Sequence, residues 1–300
     1  MDVRTIDKTI KRKNALRDIT GIVLSSKQET SDTWTHYIYV DHKDKSYRAG
    51  QFLSIDPHQF SELNELIKYF EFVKGKKEKI RAYSIASAPN EEYVAITIKP
   101  EVFNSDDSKY PPLLSPFLAS KYMEGRKIKF RGYTGSYYLT DNYSDDVNEI
   151  LHIVAGSGVV PSFAILKDEL LSKKNINVRH TMIYSNRTYK DIIFHRELEL
   201  LALKFPERFK LIHFITREEY PQRYGINFFK GRPTFDLIAA NVSNISKVQV
   251  FACGAAITRW QKIKSKEQGL ELKPRFLDSI KSIITKLGVN KRRFKYEDYG

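Results

Sequence analysis

His152-Ile-Val-Ala-Gly-Ser-Gly-Val-Val-Pro161 has the pattern of a buried strand that runs into a glycine-rich turn and then into a helix beginning near Ser162. Glycines let a backbone turn tightly and approach a diphosphate, and the first turn of a helix offers free N–H groups and positive dipole. The stretch therefore predicts a nucleotide site. A lone Gly-x-Gly fits a plain strand-to-helix turn about equally well.

The sequence on both sides of this turn separates into two patterns. From about residue 148, apolar strands (150–155, 180–184, 210–216) alternate with amphipathic helical stretches (162–173, 192–205), which predicts βαβ units and a parallel sheet. Between residues 20 and 140, short β-rich runs broken by turns predict an antiparallel barrel. The polar segment 140–147 lies between them, and we expect the boundary there, giving domains 1–145 and 146–300.

Composition narrows the class of protein. With 41% hydrophobic residues, 300 residues suffice for two domains that each bury a core. The longest apolar runs, 150–155 and 248–253, are far shorter than the roughly 20 residues of a membrane helix, so no membrane span is expected. Residues 1–17 are polar and basic without a secretory signal, which predicts a cytoplasmic protein.

Charge and cysteine content bear on metals and partners. Cys253 is the only cysteine, which excludes an internal disulfide, a four-thiolate iron–sulfur cluster and a cysteine-rich zinc site, and no histidine spacing indicates a metal. The net charge of +14 favours an acidic partner surface, although a generally basic surface is equally compatible with it. Because the basic residues are dispersed and no known motif is present, no nucleic-acid partner is expected.

A second motif lies in the first half, Arg81-Ala-Tyr-Ser-Ile-Ala-Ser-Ala-Pro89. It places a cation, a flat aromatic ring and a hydroxyl on one β-rich segment, which alone fits an ordinary half-buried strand. Together with the glycine-rich turn about 75 residues later, it resembles the ferredoxin-NADP reductase superfamily over residues 16–300. The resemblance implies an antiparallel β-barrel that binds FAD, followed by a Rossmann-like α/β domain that binds NAD(P).

The resemblance also implies roles for the barrel residues. Arg81 would pair with the FAD diphosphate, Tyr83 would pack on the flavin, and the Ser84 hydroxyl would lie near flavin N5. Ser115 stands where a helix-start hydroxyl would bind the diphosphate, and its alternative is a simple helix N-cap. The implied FAD contacts are Arg81, Ala82, Tyr83, Ser84, Ile98, Lys99, Leu114, Ser115 and Tyr299.

Two late segments complete the implied site. Val250-Phe-Ala-Cys-Gly254 resembles the strand whose Cys-Gly faces the nicotinamide, although Ala255 and Thr258 replace the usual Pro and Met. Phe294-Lys-Tyr-Glu-Asp-Tyr-Gly300 resembles a Glu-x-aromatic ending whose aromatic ring shields the flavin. Tyr299 is the residue that we expect in this role, and the alternatives are Tyr296 or a frayed tail. The implied catalytic set is Ser84, Cys253, Glu297 and Tyr299, and the implied NAD(P) contacts are Gly156, Ser157, Gly158, Val159, Pro161, Ser185, Asn186, Arg187, Lys190, Cys253 and Gly254.

The choice of nicotinamide nucleotide depends on the segment after the strand 180–184. A 2′-phosphate favours cations and hydroxyls, whereas a carboxylate suits the 2′-hydroxyl of NADH. Ser185, Arg187 and Lys190 favour NADPH slightly, and Asp191 keeps NADH open.

The segment near residues 58–79 is an insertion that the family pattern does not explain. It predicts a helix over 61–73 capped by Ser61, with an apolar face of Leu63, Leu66, Ile67, Phe70 and Val73, followed by lysines. It would cover the FAD adenosine, dock an electron partner or only stabilise the barrel.

The resemblance implies a flavoprotein reductase that takes hydride from NAD(P)H onto FAD and passes electrons to a ferredoxin, flavodoxin or oxygenase component, with an acidic carrier as partner. A diaphorase acting on small acceptors and a non-catalytic FAD-binding redox sensor are the alternatives.

Overall fold

The computed structural model describes residues 16–172 and 175–299, whose strands form two six-stranded sheets. The first sheet is antiparallel and has the order β4-β3-β6-β1-β2-β5. Its strands are β1 (Arg17–Gln28), β2 (Trp34–Tyr39), β3 (Phe52–Ile55), β4 (Arg81–Ser84), β5 (Val94–Ile98) and β6 (Lys127–Thr134). An isolated bridge between Ile85 and Ile96 links the end of β4 to β5, so the sheet nearly closes on itself. The predicted antiparallel barrel is confirmed.

The barrel core follows from alternation along the strands. On β6, Ile128 and Phe130 are buried while their neighbours Lys127 and Lys129 face solvent. These two side chains join a cluster of inward-facing aliphatic residues that includes Val23, Ile38, Leu53, Ile55 and Ile96.

The second sheet is parallel throughout and has the order β10-β9-β8-β7-β11-β12. Its strands are β7 (Glu149–Ala155), β8 (Arg179–Asn186), β9 (Phe209–Ile215), β10 (Phe228–Lys230), β11 (Val248–Gly254) and β12 (Phe294–Asp298). The strand order reverses between β7 and β11, and in open α/β sheets ligands bind at the carboxyl ends of strands at such a point. The predicted parallel sheet is confirmed.

Helices cover both faces of this sheet. They are α3 (Val159–Leu171), α4 (His195–Lys204), α5 (Phe235–Ala240), α6 (Arg259–Gln268) and α7 (Phe276–Leu287), while α1 (Asn64–Lys74) and α2 (Leu114–Leu118) belong to the first half. Phe163 and Leu198 pack on one face of the sheet, and Ile238 and Ile280 pack on the other. α3 begins at Val159, three residues before the predicted start near Ser162, because Pro161 is tolerated in a first helical turn. Lys173, where this helix was predicted to end, lies outside the described residues.

The predicted insertion helix is present as α1, but two details of the prediction were wrong. Ser61 lies in a preceding 3-10 turn, and the N-cap position of α1 is Leu63, so Ser61 does not cap it. The apolar face is only partly used: Leu63 and Ile67 are buried, whereas Leu66 and Val73 are exposed. The helix lies on the barrel surface with a single contact face, so side chains pointing away from that face stay in solvent.

In the described residues, no helix combines the length and apolarity that crossing a membrane requires. The prediction of a cytoplasmic location rests on residues 1–17, of which residues 1–15 lie outside the described residues.

Candidate active site

The last strand brings the two halves of the chain together. β12 pairs in parallel with β11, which places Glu297 beside Cys253. Just beyond β12, the Tyr299 N–H donates to the Gly254 carbonyl at 3.1 Å. The Tyr299 hydroxyl reaches the barrel and donates to Ser84 Oγ at 2.5 Å. The structure therefore brings the four residues of the implied catalytic set into one cluster.

Ser84 lies at the centre of this cluster. It is buried at the end of β4, and its hydroxyl donates to Glu297 Oε2 at 3.4 Å while accepting from Tyr299. The Tyr299 ring packs against the α/β core, which holds its hydroxyl on Ser84. Tyr296, the alternative to Tyr299, is half exposed and lies under the Lys281 ammonium instead.

Burial shifts the acidities of the cluster in one direction. Removal from water raises the pKa of the Glu297 carboxyl to about 7, and the Ser84 hydrogen bond opposes this. Burial also raises the pKa of the Cys253 thiol and of the Tyr299 hydroxyl well above their ordinary values. Cys253 and Tyr299 therefore stay neutral at physiological pH, and Glu297 is the one of these three groups whose pKa lies near neutrality.

The glycine-rich turn is a short 3-10 segment, Gly156–Gly158, between β7 and α3. A Cβ on Gly158 would lie 2.4 Å from the Cys253 carbonyl oxygen, so glycine is required for the close approach of the turn to β11. Gly156 has φ +54° and open space where a Cβ would stand. The Tyr184 hydroxyl donates to the Gly156 carbonyl at 3.1 Å and fixes the turn from below.

The remaining implied nucleotide contacts surround this turn. Ser157 lies within it, and Val159 and Pro161 lie in the first turn of α3, where no side chain caps the helix. Uncapped N–H groups at a helix start suit a phosphate. The turn is thus compatible with a nucleotide as well as with tight packing.

Residues at and after the end of β8 divide into buried and exposed groups. Ser185 and Asn186 are buried, and no described atom hydrogen-bonds to Ser185 Oγ. Arg187 and Lys190 are exposed. Asp191 accepts from the Thr188 N–H at 3.0 Å and from the Thr188 hydroxyl at 2.8 Å, so its carboxylate caps a 3-10 turn.

The implied FAD contacts of β4 and β5 lie at one end of the barrel. Arg81 is exposed and forms no ion pair with any side chain that the structure describes. Ala82 is also exposed, and Tyr83 is half-buried against the barrel core. Ile98 is buried at the end of β5, and the following Lys99 pairs with Asp32 at 3.2 Å.

Ser115 does not cap a helix. It is the second residue of α2, whose N-cap position is Leu113, and Leu114 before it is buried. Ser115 Oγ instead accepts from the Glu101 N–H at 3.1 Å, which ties α2 to the segment after β5. The N-cap alternative is therefore wrong.

Sequence reasoning missed a loop that joins the two halves beside the site. Ser105 O accepts from Trp260 Nε1 at 3.0 Å, and Asp106 pairs with Lys264 at 2.5 Å. Asp107 accepts from Gln261 Nε2 at 2.7 Å, and its carbonyl accepts from the Thr258 hydroxyl at 2.9 Å. Acidic residues in a loop gave no local signal of partners more than 150 positions away.

The same contacts explain a departure noted in the sequence. Thr258, which stands where Met is usual, caps α6 in a reciprocal pair with Gln261. Tyr137 was also missed: it is fully buried, and its hydroxyl shares a 2.7 Å hydrogen bond with Ser162 of α3.

Two concavities border the barrel. The larger, about 600 Å³, lies between the halves near Tyr47 and Glu169, and none of the implied site residues lines it. The smaller, about 210 Å³, is lined by Arg81 and the lysines that follow α1. Within the described residues, no group of three or more His, Cys, Asp or Glu side chains is arranged to hold a metal ion.

Comparison with known proteins agrees with this architecture. Residues 153–259 match the oxidoreductase NAD-binding domain family. NADH-cytochrome b5 reductase 2 of Mycosarcoma maydis is 27% identical over 204 residues, covering 62% of this chain and 56% of the relative. The ferredoxin reductase component of 3-ketosteroid-9-alpha-monooxygenase from Rhodococcus rhodochrous is 26% identical over 251 residues, covering 82% and 60%. The chain thus spans somewhat more than half the length of these relatives.

Solved structures share the fold across nearly the whole chain. The flavohem-like FAD/NAD binding domain of nitric oxide dioxygenase from Vibrio cholerae superposes with a TM-score of 0.66 at 20% identity, covering 95% of this chain and 100% of that one. Ferredoxin-NADP+ reductase from Plasmodium falciparum gives 0.62 at 15% identity, covering 94% and 96%. The antiparallel barrel and the parallel sheet, with the oxidoreductase NAD-binding domain matched over residues 153–259, fit the fold of the ferredoxin-NADP reductase-like oxidoreductases.

Proposed function

We propose that the chain is an NAD(P)H-dependent FAD reductase that passes electrons to a separate acceptor protein. The observation that carries the proposal is the cluster in which Tyr299 holds the Ser84 hydroxyl beside Glu297, with the glycine-rich turn packed against the same strand end. This cluster lies where the barrel and the nucleotide-binding sheet meet. A nicotinamide and a flavin could therefore approach one another across it.

Unsatisfied groups on both sides fit the two cofactors. On the barrel side, Arg81 is exposed without an ion pair among the described side chains, and a guanidinium suits a diphosphate. On the sheet side, Gly156 is open and the first turn of α3 is uncapped, which suits the diphosphate of a dinucleotide. FAD, when bound, would supply two-electron exchange with the nicotinamide and one-electron release to the acceptor.

The chain's own residues would then orient the Ser84 hydroxyl and exchange a proton beside it. Tyr299 fixes the direction of the Ser84 hydroxyl, and its ring excludes water from the junction of the two halves. Since burial raises the pKa of Glu297 to about 7, this carboxyl can hold or release a proton beside Ser84 at neutral pH. The Cys253 thiol would stay buried and neutral beneath the place proposed for the nicotinamide.

The test of the proposal is an anaerobic absorbance spectrum of protein supplied with FAD, before and after NADPH or NADH. We expect flavin bands that bleach with either nucleotide, and faster with NADPH because Arg187 and Lys190 are exposed while Asp191 is committed to capping. A higher steady-state efficiency with NADH would overturn the NADPH preference alone. Failure to bind FAD would overturn the reductase proposal.

The acceptor that we propose is an acidic electron-carrier protein. The 50 Lys and Arg residues against 36 Asp and Glu support this choice, because an acidic carrier would then associate faster at low salt. The Rhodococcus rhodochrous relative is named a ferredoxin reductase component, which agrees with a protein acceptor. Turnover of a ferredoxin should therefore fall steeply with ionic strength, while ferricyanide turnover changes little. Equal salt responses would favour a diaphorase, and negligible turnover with both would favour a redox sensor.

A further inference from the structure

The smaller concavity of the barrel has a lining that the reductase fold alone does not account for. It holds about 210 Å³, and most of its charged wall comes from the loop after α1, inside the 58–79 insertion. The lining residues are Lys74, Lys76, Lys77, Glu78, Lys79, Arg81, Glu101, Ser108, Tyr110, Pro111 and Pro112.

One of these lysines is structural. Lys74 pairs with the buried Glu78, and its ammonium lies 4.6 Å from the Phe70 ring centroid and 5.2 Å from that of Tyr110. The Glu78 N–H donates to Glu71 Oε1 at 2.9 Å, which folds the loop back onto α1. The loop therefore has a fixed base, and its Lys74 and Glu78 charges compensate each other.

The other cations of the wall are not ion-paired within the described part of the chain. Lys76, Lys77 and Lys79 are exposed on either side of buried Glu78, and like Arg81 they form no ion pair with any side chain that the structure describes. Glu101 is the carboxylate that remains in the lining once Glu78 is paired. An excess of cations around a small concavity attracts a compact anion of more than one charge.

The position of the concavity identifies the anion. Its wall includes Arg81 at the start of β4, and Glu101, whose N–H donates to Ser115 Oγ at 3.1 Å. Arg81 and Ser115 are the two residues proposed for the FAD diphosphate, and the concavity lies beside both. The ring of Tyr110 and the prolines at 111 and 112 add apolar surface that a purine could cover.

We infer that the insertion binds the adenosine diphosphate half of the flavin, with Lys76, Lys77 and Lys79 as cationic groups that line the same concavity as Arg81, and that it thereby selects FAD over FMN. The inference rests on the proposed function, since it requires that the barrel bind a flavin. According to this inference, the loop after α1 selects the cofactor, and an electron partner docks on another surface.

The experiment measures equilibrium flavin binding by quenching of flavin fluorescence, without turnover. In the triple variant Lys76→Ala, Lys77→Ala, Lys79→Ala, we expect the Kd for FAD to rise at least tenfold and the Kd for FMN to change less than twofold, because FMN lacks the adenylate. ADP should displace FAD from the wild-type protein but compete poorly in the variant. The matched control is Lys121→Ala, Lys127→Ala, Lys129→Ala, which removes equal charge from exposed positions outside the concavity.

Each outcome decides between the two proposals. The conservative triple Lys→Arg variant should retain FAD affinity, since the charges remain. An FAD Kd unchanged in the Ala variant, or an equal loss for FMN and in the control, would overturn the inference while leaving the reductase proposal intact. If the Ala variant loses salt-sensitive turnover with an acidic carrier but keeps FAD, the loop is a docking site and the inference is wrong. A wild-type protein that binds neither flavin would overturn both proposals.

Discussion

The sheet side and the barrel side of the candidate site differ in packing and in exposed charge. On the sheet side, the glycine-rich turn is packed so tightly on β11 that Gly158 has no room for a side chain. On the barrel side, Arg81 and the lysines after α1 are exposed, and none forms an ion pair with a described side chain. Packing therefore fixes the sheet side of the site, whereas the barrel side carries exposed cations that no described side chain pairs with. Substitutions should lower stability on the first side and affinity on the second.

The largest expected effect comes from Gly158→Ala. Its Cβ would lie 2.4 Å from the Cys253 carbonyl oxygen, a backbone atom that cannot move without shifting β11. We expect the free energy of unfolding to fall by about 3 kcal/mol, as in a strongly overpacked core. The matched control, Gly156→Ala, meets open space and only a positive φ, so about 1 kcal/mol should be lost. Equal losses in denaturant titrations would contradict the tight packing of the turn.

Arg81→Ala should separate affinity from stability. Loss of a charge-assisted contact to a diphosphate costs about 1.5–3 kcal/mol, which corresponds to a roughly 10- to 100-fold weaker Kd for FAD. The unfolding free energy of the FAD-free protein should stay within about 0.5 kcal/mol, since the side chain is exposed. Arg232→Ala, another exposed arginine, is the control for general charge. A large loss of stability in Arg81→Ala would show that this side, too, is fixed by packing.

Glu297→Gln tests the junction between the two sides through pH. Because burial raises the pKa of the folded-state carboxyl to about 7 from an ordinary 4.5, its contribution to stability is complete below pH 4.5 and is lost as pH rises through 7. Gln does not titrate, so between pH 4.5 and 8 the variant should gain stability relative to wild type by on the order of 3 kcal/mol. Thermal unfolding across this range measures the difference, and a constant difference would contradict the burial of the carboxyl.

The smaller of the two pH-dependent effects on stability is expected from His152 in the core of the parallel sheet. Its pH dependence is opposite to that of Glu297. His152 is fully buried and stacks on His180 and Phe251, and burial lowers its pKa to about 3. Its contribution is present above pH 6.5 and is lost as pH falls towards 3.

His152→Phe keeps a ring in this position and removes the titration. The stability lost between pH 8 and pH 5 should therefore shrink by about 2 kcal/mol. The exposed His42→Phe, which makes the same substitution outside the core, is the control. An undiminished loss in His152→Phe would assign the acid sensitivity to other groups.

The sequence correctly predicted the strands, because strands follow from local periodicity. The twelve strands in the described part of the chain include every predicted one, and the structure brings Cys253, Glu297 and Tyr299 into one cluster with Ser84. The errors concern local choices that tertiary contacts decide. Ser61 lies in a turn before α1 and does not cap it, and the contact of Ser115 with Glu101 excludes only the alternative of a helix cap. The loop around Asp107 was not foreseen, because no periodic pattern encodes its partners on α6.

The contacts of Ser84 span 213 and 215 residues of chain, to Glu297 and Tyr299. At a synthesis rate of roughly 5–20 residues per second, about ten to forty seconds pass on the ribosome between the appearance of Ser84 and that of its partners. All six barrel strands lie within residues 17–134 and can pair during this interval. In the nascent barrel, Ser84 therefore lacks the contacts of Glu297 and Tyr299 until the last strand is synthesised. A flavin that binds during this interval would bind before the last strand covers Ser84.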